Sequence, residues 1–174
     1  MSKSMLLITI GISGSGKSHL KNQLENYFDD FYNVEPDNLR RELFGDVNEQ
    51  SDGYKVFDLA GSKIRQYTTK EGVTFFNATN TNWSKLEKFI KDYTSTDNVL
   101  YIIMMDSLDL ELCKSRIKKD LDNNVDRSRV PEDVVERQYN NFLSCKENAE
   151  KSDELVYLYD GSFGRLVSFI EDKI

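Results

Sequence analysis

Residues 6–20 read LLITIGISGSGKSHL: an apolar run stops at a cluster of glycines, and a lysine and a serine follow at once. Met5–Ile10 is nearly all apolar, as expected of a strand covered on both faces. Lys17–Tyr27 has Leu20 and Leu24 four apart, the spacing of a helix with one buried face. Between them Gly11, Gly14, Gly16, Lys17 and Ser18 satisfy G-x-x-x-x-G-K-[S/T] in the strand–loop–helix context that this pattern requires. Glycines let the backbone turn so that successive N–H groups, here those of Ser13, Gly14, Ser15 and Gly16, point inward around phosphate oxygens. The following helix adds its free N–H groups and the positive end of its dipole. Lys17 would reach the β- and γ-phosphates, and the Ser18 hydroxyl would ligate Mg²⁺. These residues therefore predict a nucleoside triphosphate site. No Asn/Thr-Lys-x-Asp stretch of the kind that reads guanine is present, so ATP is the default nucleotide. His19 reads as an ordinary helix-surface or packing residue, because the loop chemistry does not need it.

Outward from this loop, strand and helix patterns alternate. Phe31–Val34 is a short strand, Asp37–Phe44 a short helix stopped by Gly45, and Tyr54–Lys70 a longer helix that Gly72 ends. Val73–Phe76 reads as a strand, Trp83–Tyr93 as a helix, and NVLYIIMM as the most apolar strand, placed near the sheet centre. Asp109–Lys119 is helical, and Asp120–Arg129 is polar with no period. Pro131 then opens a long helix through Val134, Val135, Gln138, Phe142 and Cys145. ELVYLY is the last strand, and Phe163–Ile170 lies in a terminal helix that packs on the sheet. Apolar strands alternating with helices define an α/β fold with a parallel sheet and helices on both faces. The expected organisation is a single P-loop hydrolase/kinase domain over residues 1–174 with a charged lid at 114–130.

Composition limits the alternatives. A chain of 174 residues can bury about 70% of its unfolded surface in one core. Ten Phe and nine Tyr argue against disorder. The net charge of −7 argues against nonspecific coating of nucleic acid but leaves room for a local basic cleft. Cys113 and Cys145, both in helical patterns and without metal-like spacing, read as free reduced thiols and point to the cytoplasm. The apolar run near the N-terminus is too short to span a bilayer, lacks a cleavage region, and reads as an internal strand. No helix seam fixes an oligomeric state.

The stretch YNVEPDNLRRELFG places Asp37 at the carboxyl end of the second strand, on the same sheet edge as the phosphate loop. Asp37 and Arg40 are three apart and share a helix face. An Asp there can accept the proton of an attacking hydroxyl, and an Arg can hold an anionic part of the acceptor; the plainer reading of Asp37 is a helix cap. Glu35, Arg41 and Glu42 read as solvated. Arg40, Arg41, Lys55, Lys63 and Arg65 would together build a basic channel for a polynucleotide.

The motifs GISGSGKS, NVEPDNLRRELFG, FFNATNTN, a charged lid and RVPEDVVERQY follow one another over about residues 5–145. In order and spacing the chain resembles the P-loop kinase family that includes phage polynucleotide 5′-hydroxyl kinases and related small zeta-toxin-like and nucleoside-type kinases. The resemblance implies that Asp37 is the general base and that Arg40 contacts the acceptor's phosphate region. Relatives end the third strand in Asp-x-Thr-Asn; here the residues are Asn77, Ala78, Thr79 and Asn80, so a carboxylate is replaced by a neutral amide. Thr79 and Asn80 remain candidates for positioning the acceptor, beside the plainer reading of a polar turn capping the next helix.

Between Cys113 and Pro131 the chain has six Lys or Arg and three Asp. The resemblance implies that arginines of this lid fold over the triphosphate, with Arg116 contacting the nucleotide and Arg127 or Arg129 clamping phosphate. Asp126 would tether one of that pair. The expected activity is transfer of the γ-phosphoryl of ATP to a hydroxyl, first the 5′-hydroxyl of a polynucleotide or oligonucleotide. A nucleoside, nucleotide, modified base or other small metabolite is the alternative acceptor. A nucleotide-dependent switch or ATPase acting through a partner is a different class; it would need no Asp base.

Overall fold

The computed structural model describes residues 4–95, 99–106, 109–152 and 154–173. Five parallel strands form one sheet in the order β2-β3-β1-β4-β5. They are β1 (Ser4–Ile10), β2 (Phe31–Val34), β3 (Gly72–Phe76), β4 (Val99–Met105) and β5 (Val156–Tyr159). The helices are α1 (Lys17–Tyr27), α2 (Pro36–Phe44), α3 (Gly53–Tyr67), α4 (Trp83–Tyr93), α5 (Leu110–Asp122), α6 (Glu132–Glu150) and α7 (Phe163–Glu171). This is the expected α/β architecture of a P-loop hydrolase or kinase. β1 is the middle strand and β4 lies beside it; Asn98, the first residue of the NVLYIIMM stretch, is outside the described residues.

Side-chain alternation along β1 divides the core in two. Leu6, Ile8 and Ile10 point to one face, where α3, α4, α5 and α6 pack through Ile64, Phe89, Ile117 and Phe142. Met5 and Leu7 point to the other, against Leu20 and Leu24 of α1 and Leu166 and Ile170 of α7. Each fully buried aliphatic side chain stabilises the fold by about 1.5–3 kcal/mol. The terminal helix therefore covers the sheet, as its apolar pattern predicts.

Three element ends differ from the sequence reading. α3 stops at Tyr67, short of Lys70, because the Thr68 hydroxyl turns back to donate to the Ile64 carbonyl at 2.8 Å; Gly72 begins β3 and does not end the helix. α5 starts on an Asp109 cap, whose carboxylate accepts from the Leu112 N–H at 3.0 Å, and runs to Asp122. Arg116 is thus a helix residue, and the irregular segment is confined to residues 123–131. Pro131 is the residue before α6, at its N-cap.

Because all strands are parallel, the loops leaving β1, β2 and β3 emerge on one edge. The phosphate loop, the start of α2 and the Asn77–Asn80 turn therefore converge there. The Gly11 N–H donates to the Thr79 carbonyl at 2.9 Å and the Asn77 N–H to the Val34 carbonyl at 2.8 Å, which pins the three exits together.

Candidate phosphate-binding and acceptor site

The loop between β1 and α1 has the backbone its glycines permit. Gly14 and Gly16 have φ of 80° and 98°, in the left-handed region, and a Cβ on Gly14 would lie 2.5 Å from the Cys113 carbonyl oxygen. Lys17 folds back over the loop and donates to the carbonyls of Gly11 at 3.0 Å and Ile12 at 2.8 Å. Burial, with the nearby Arg127 guanidinium second, lowers its pKa to about 8. The loop is thus a cradle with a poorly solvated cation at its centre, ready for negative charge.

Two helices hold the cradle from outside. Arg116 of α5 donates from Nη1 to the Gly14 carbonyl at 3.1 Å. Gln138 of α6 accepts from the Ser13 N–H at 2.9 Å, so one donor of the loop is engaged by a side chain. Ser13 and Ser15 are buried, and Ser18 is exposed in the wall of the cavity.

That cavity has a volume of about 1480 Å³. A small-molecule pocket is usually about 300–1,000 Å³, so there is room for a nucleotide and a second reactant together. Its wall brings together Ser13–Ser18 on one side and Asp37, Arg40 and Thr79 on another, with Arg116, Arg127 and Arg129 above. Asn80 lies outside this wall: it has a positive φ of 47°, and its amide donates to the Thr9 carbonyl at 2.9 Å.

Asp37, in the first turn of α2, has both carboxylate oxygens engaged. Oδ1 accepts from Arg40 Nη1 at 2.8 Å, and Oδ2 accepts from the Ser128 N–H of the lid at 3.3 Å. Arg40 is largely buried, and its Nε finds no partner among the described residues. Asn77 is 4% exposed and lines the cavity; its Nδ2 likewise has no partner. Both unpaired donors belong to residues of the cavity wall on the Asp37 side.

Several expectations are corrected here. Asp126 tethers neither Arg127 nor Arg129; it pairs with Arg41 at 2.7 Å, so Arg41, exposed as expected, also latches the lid. Arg127 pairs with Asp120 at 2.6 Å. Arg129 donates its backbone N–H to Asn48 Oδ1 at 2.8 Å, and its guanidinium has no partner among the described residues. Glu35 is half-buried beside Asp37, and burial raises its pKa; it too is not simply solvated. Of the five cations expected to form a channel, only Arg40 and Arg41 line the cavity. Lys55 pairs with Asp52 at 3.0 Å, Lys63 with Glu42 at 3.1 Å, and Arg65 lies over the Tyr93 ring at 5.0 Å.

The structure adds Gln138, Asn48 and Arg137 to the cavity wall. The sequence contains the signal for Gln138 in RVPEDVVERQY, but helical periodicity reads that position as packing. His19 is exposed on the wall, and both cysteines are buried free thiols, with burial raising Cys145 to about 11. Among the described residues no group of three or more His, Cys, Asp or Glu is placed to hold a metal. No described helix is long and apolar enough to cross a membrane.

A five-stranded parallel sheet with its glycine loop, cradle lysine and following serine between β1 and α1 defines a P-loop protein of the hydrolase and kinase class, built to bind a nucleotide. The chain belongs to the AAA domain family, whose model matches residues 6–144. Among curated proteins none matches it. Among solved structures it is similar to a chain of the Pnkp1/Rnl/Hen1 RNA repair complex, with 21% identity, a TM-score of 0.74, and coverage of 85% of this chain and 47% of that one. This chain thus spans about half the length of that relative. It also resembles a Deinococcus radiodurans tunicamycin resistance protein, with 14% identity, a TM-score of 0.60, and coverage of 98% and 95%. A Sinorhizobium meliloti 1021 gluconokinase is similar at 12% identity and a TM-score of 0.55, with coverage of 94% and 87%. At these identities the likeness is one of fold.

Proposed function

We propose that the protein is an ATP-dependent kinase that transfers the γ-phosphoryl group to a hydroxyl, with the 5′-hydroxyl of an oligonucleotide or polynucleotide as its acceptor. The observation that carries this reading is Asp37 in the same cavity as the phosphate loop, oriented by Arg40 at 2.8 Å. A carboxylate beside the phosphate loop can take the proton of an attacking hydroxyl. In the reaction the acceptor oxygen forms a bond to the γ-phosphorus while the bond to the β,γ-bridging oxygen breaks. The hydroxyl proton goes to Asp37 and ADP leaves with the electron pair.

The chain's own groups divide the work. Loop N–H groups and Lys17 hold the β- and γ-phosphates. Arg127, which is near enough to Lys17 to help lower its pKa, offsets charge on the transferring group. Arg40 holds the Asp37 carboxylate in place, and its guanidinium is proposed to meet an acceptor phosphate. With Ser18 in the wall and no carboxylate cluster among the described residues, the donor set fits Mg²⁺ held mainly by the nucleotide's phosphates and water, with Ser18 as the protein ligand. When bound, that ion would supply neutralisation of phosphate charge. Thr79 faces the same cavity and is proposed to position the acceptor.

A small-molecule hydroxyl is the second reading. It is favoured by the Ser128 N–H resting on Asp37, which closes the lid over the acceptor end. The test is transfer from γ-labelled ATP with Mg²⁺, offered in parallel to a 5′-hydroxyl oligonucleotide and to a pool of nucleosides, nucleotides and sugars. Label on the oligonucleotide that Asp37→Asn abolishes supports the first reading. Label in the small-molecule pool alone replaces it with the second. Free phosphate alone, unchanged in Asp37→Asn, removes both.

A further inference from the structure

Four carboxylates line the main cavity: Glu35, Asp37, Asp120 and Asp126. Three of them are engaged by arginines, Asp37 by Arg40, Asp120 by Arg127 and Asp126 by Arg41. Glu35 has no cation at salt-bridge distance among the described residues. Its contacts are long ones to neutral amides, from Asn33 Nδ2 and Asn38 Nδ2 at 3.4 Å each, and both fall on Oε2. Oε1 accepts no hydrogen bond among the described residues. Nor does the side chain cap α2, although Glu35 holds that helix's N-cap position. A half-buried carboxylate without a strong partner costs free energy, and neither packing nor capping accounts for this one.

The sheet register says what Glu35 stands beside. β2 and β3 are parallel neighbours with Val34 opposite Phe76, so Glu35 and Asn77 leave the sheet side by side, one strand spacing of about 4.8 Å apart. The Asn77 N–H on the Val34 carbonyl at 2.8 Å fixes that level. Asn77, on the strand next to β1, brings a neutral amide to the wall. The charge stands one strand further out, on a side chain longer than Asp by one methylene. Burial raises the Glu35 pKa, and Lys21 and Lys17 of α1, which bracket Ser18 along that helix, are near enough to oppose the rise. Glu35 is therefore on the α1 side of the cavity, where Ser18 also lies in the wall.

Mg²⁺ gives up its waters reluctantly, and with a single protein ligand it keeps several. Those waters donate hydrogen bonds, and an ionised carboxylate is the strongest acceptor a side chain offers them. We propose that Glu35 is the outer partner of the Mg²⁺ that accompanies the nucleotide, accepting hydrogen bonds from the ion's waters through its open Oε1. It does from β2 what the neutral Asn77 cannot do from β3. Glu35 is a positioning residue, separate from Asp37 and the acceptor's proton. The inference rests on the kinase reading above and deepens it at the metal.

The experiment measures ADP binding by calorimetry in EDTA and in saturating Mg²⁺, and takes the ratio of the two affinities. Wild type should bind ADP more tightly with the ion. Glu35→Gln should lower that ratio by about tenfold or more, since losing an outer partner costs roughly 10–100-fold in metal affinity. Its affinity in EDTA should hold or rise, because a negative charge near the phosphates is gone. Asn77→Asp, added to Glu35→Gln, returns a carboxylate one strand away and should recover part of the ratio. A role confined to holding Asn33 and Asn38 would weaken ADP equally with and without the ion and would not respond to Asn77→Asp. A wild-type ratio of one, an unchanged ratio in Glu35→Gln, an equal loss in both conditions, or a double variant no better than Glu35→Gln overturns the proposal. A lowered ratio in a protein that labels no acceptor would support Glu35 at the metal while removing the kinase reading, so the two fail separately.

Discussion

Raising the pH should weaken nucleotide binding through Lys17 alone. In the empty loop its ammonium is held by two carbonyls but is poorly solvated and near Arg127, and its pKa is about 8 where the ordinary value is 10.5. Keeping it charged at neutral pH therefore costs roughly 3 kcal/mol. A bound triphosphate restores the missing negative charge and moves the pKa up again. Between pH 8 and the bound-state value, the complex holds a proton that the free protein has lost. By linkage, affinity for ATP is flat below about pH 7.5 and falls by up to tenfold per pH unit above 8. The nucleotide adds no slope of its own there, because a terminal phosphate with a pKa of about 6 is already ionised.

The same depression has an opposite sign for folding. The unfolded chain keeps the proton to 10.5 while the folded chain loses it near 8, so in that window the unfolded state binds more protons. Lys17 thus makes empty protein more stable as pH rises from 8 to 10.5. Calorimetric titration with a non-hydrolysable ATP analogue from pH 7 to 9.5, in buffers of two ionisation heats, reads both the affinity and the proton uptake. Lys17→Arg, which stays charged throughout, should lose the slope. A wild-type affinity constant across pH 7.5–9.5, or the same slope in Lys17→Arg, would refute the argument.

Gln138→Ala should lower the melting temperature of empty protein by leaving the buried Ser13 N–H unpaired, a cost of about 1–3 kcal/mol; saturating nucleotide should recover part of it, since phosphate can replace the lost acceptor. Thermal shifts with and without nucleotide check this, and an equal loss in both states would count against it. Asp37→Asn should keep ATP binding within a few-fold yet depress transfer by about 100-fold or more, measured with labelled ATP and the true acceptor. Leu24→Ala removes a fully buried contact between α1 and the sheet and should cost about 2–5 kcal/mol in urea denaturation. Breaking the exposed Arg41–Asp126 latch with Asp126→Asn should change stability by no more than about 1 kcal/mol; its effect should appear in acceptor KM instead.

The fold was legible because its signals are local and redundant. A glycine loop tied to a strand before it and a helix after it marks one sheet edge, and nearly all-apolar strands such as Leu6–Ile10 call for helices on both faces. Element ends were less legible where a side chain and not a breaker residue ends the helix. Thr68, bonding back to Ile64 four residues earlier, stops α3, whereas Gly72 looks like the stop but serves the next strand. On α5 the pattern lost its period at Asp120, yet the helix continues to Asp122 because its polar residues can stay solvated on an exposed face.

Within the site, the residues fixed by backbone geometry were readable and those fixed by charge pairing were not. The cradle needs Gly14, Lys17 and Ser18 at set distances along the chain, so spacing alone exposes them. Which lid arginine faces which reactant depends on pairings across 85 residues for Arg41 with Asp126 and only 7 for Arg127 with Asp120, and sequence distance does not rank such pairs. The consequence is functional. By taking Asp126, Arg41 ties the lid to α2; by taking Asp120, Arg127 is held on α5; the Arg129 guanidinium is left without a partner among the described residues. The lid therefore couples the two ends of the cavity through one backbone contact, the Ser128 N–H on Asp37. On the kinase reading, an acceptor hydroxyl that bonds the Asp37 carboxylate shares it with the Ser128 N–H, so acceptor binding and lid position are linked through one side chain.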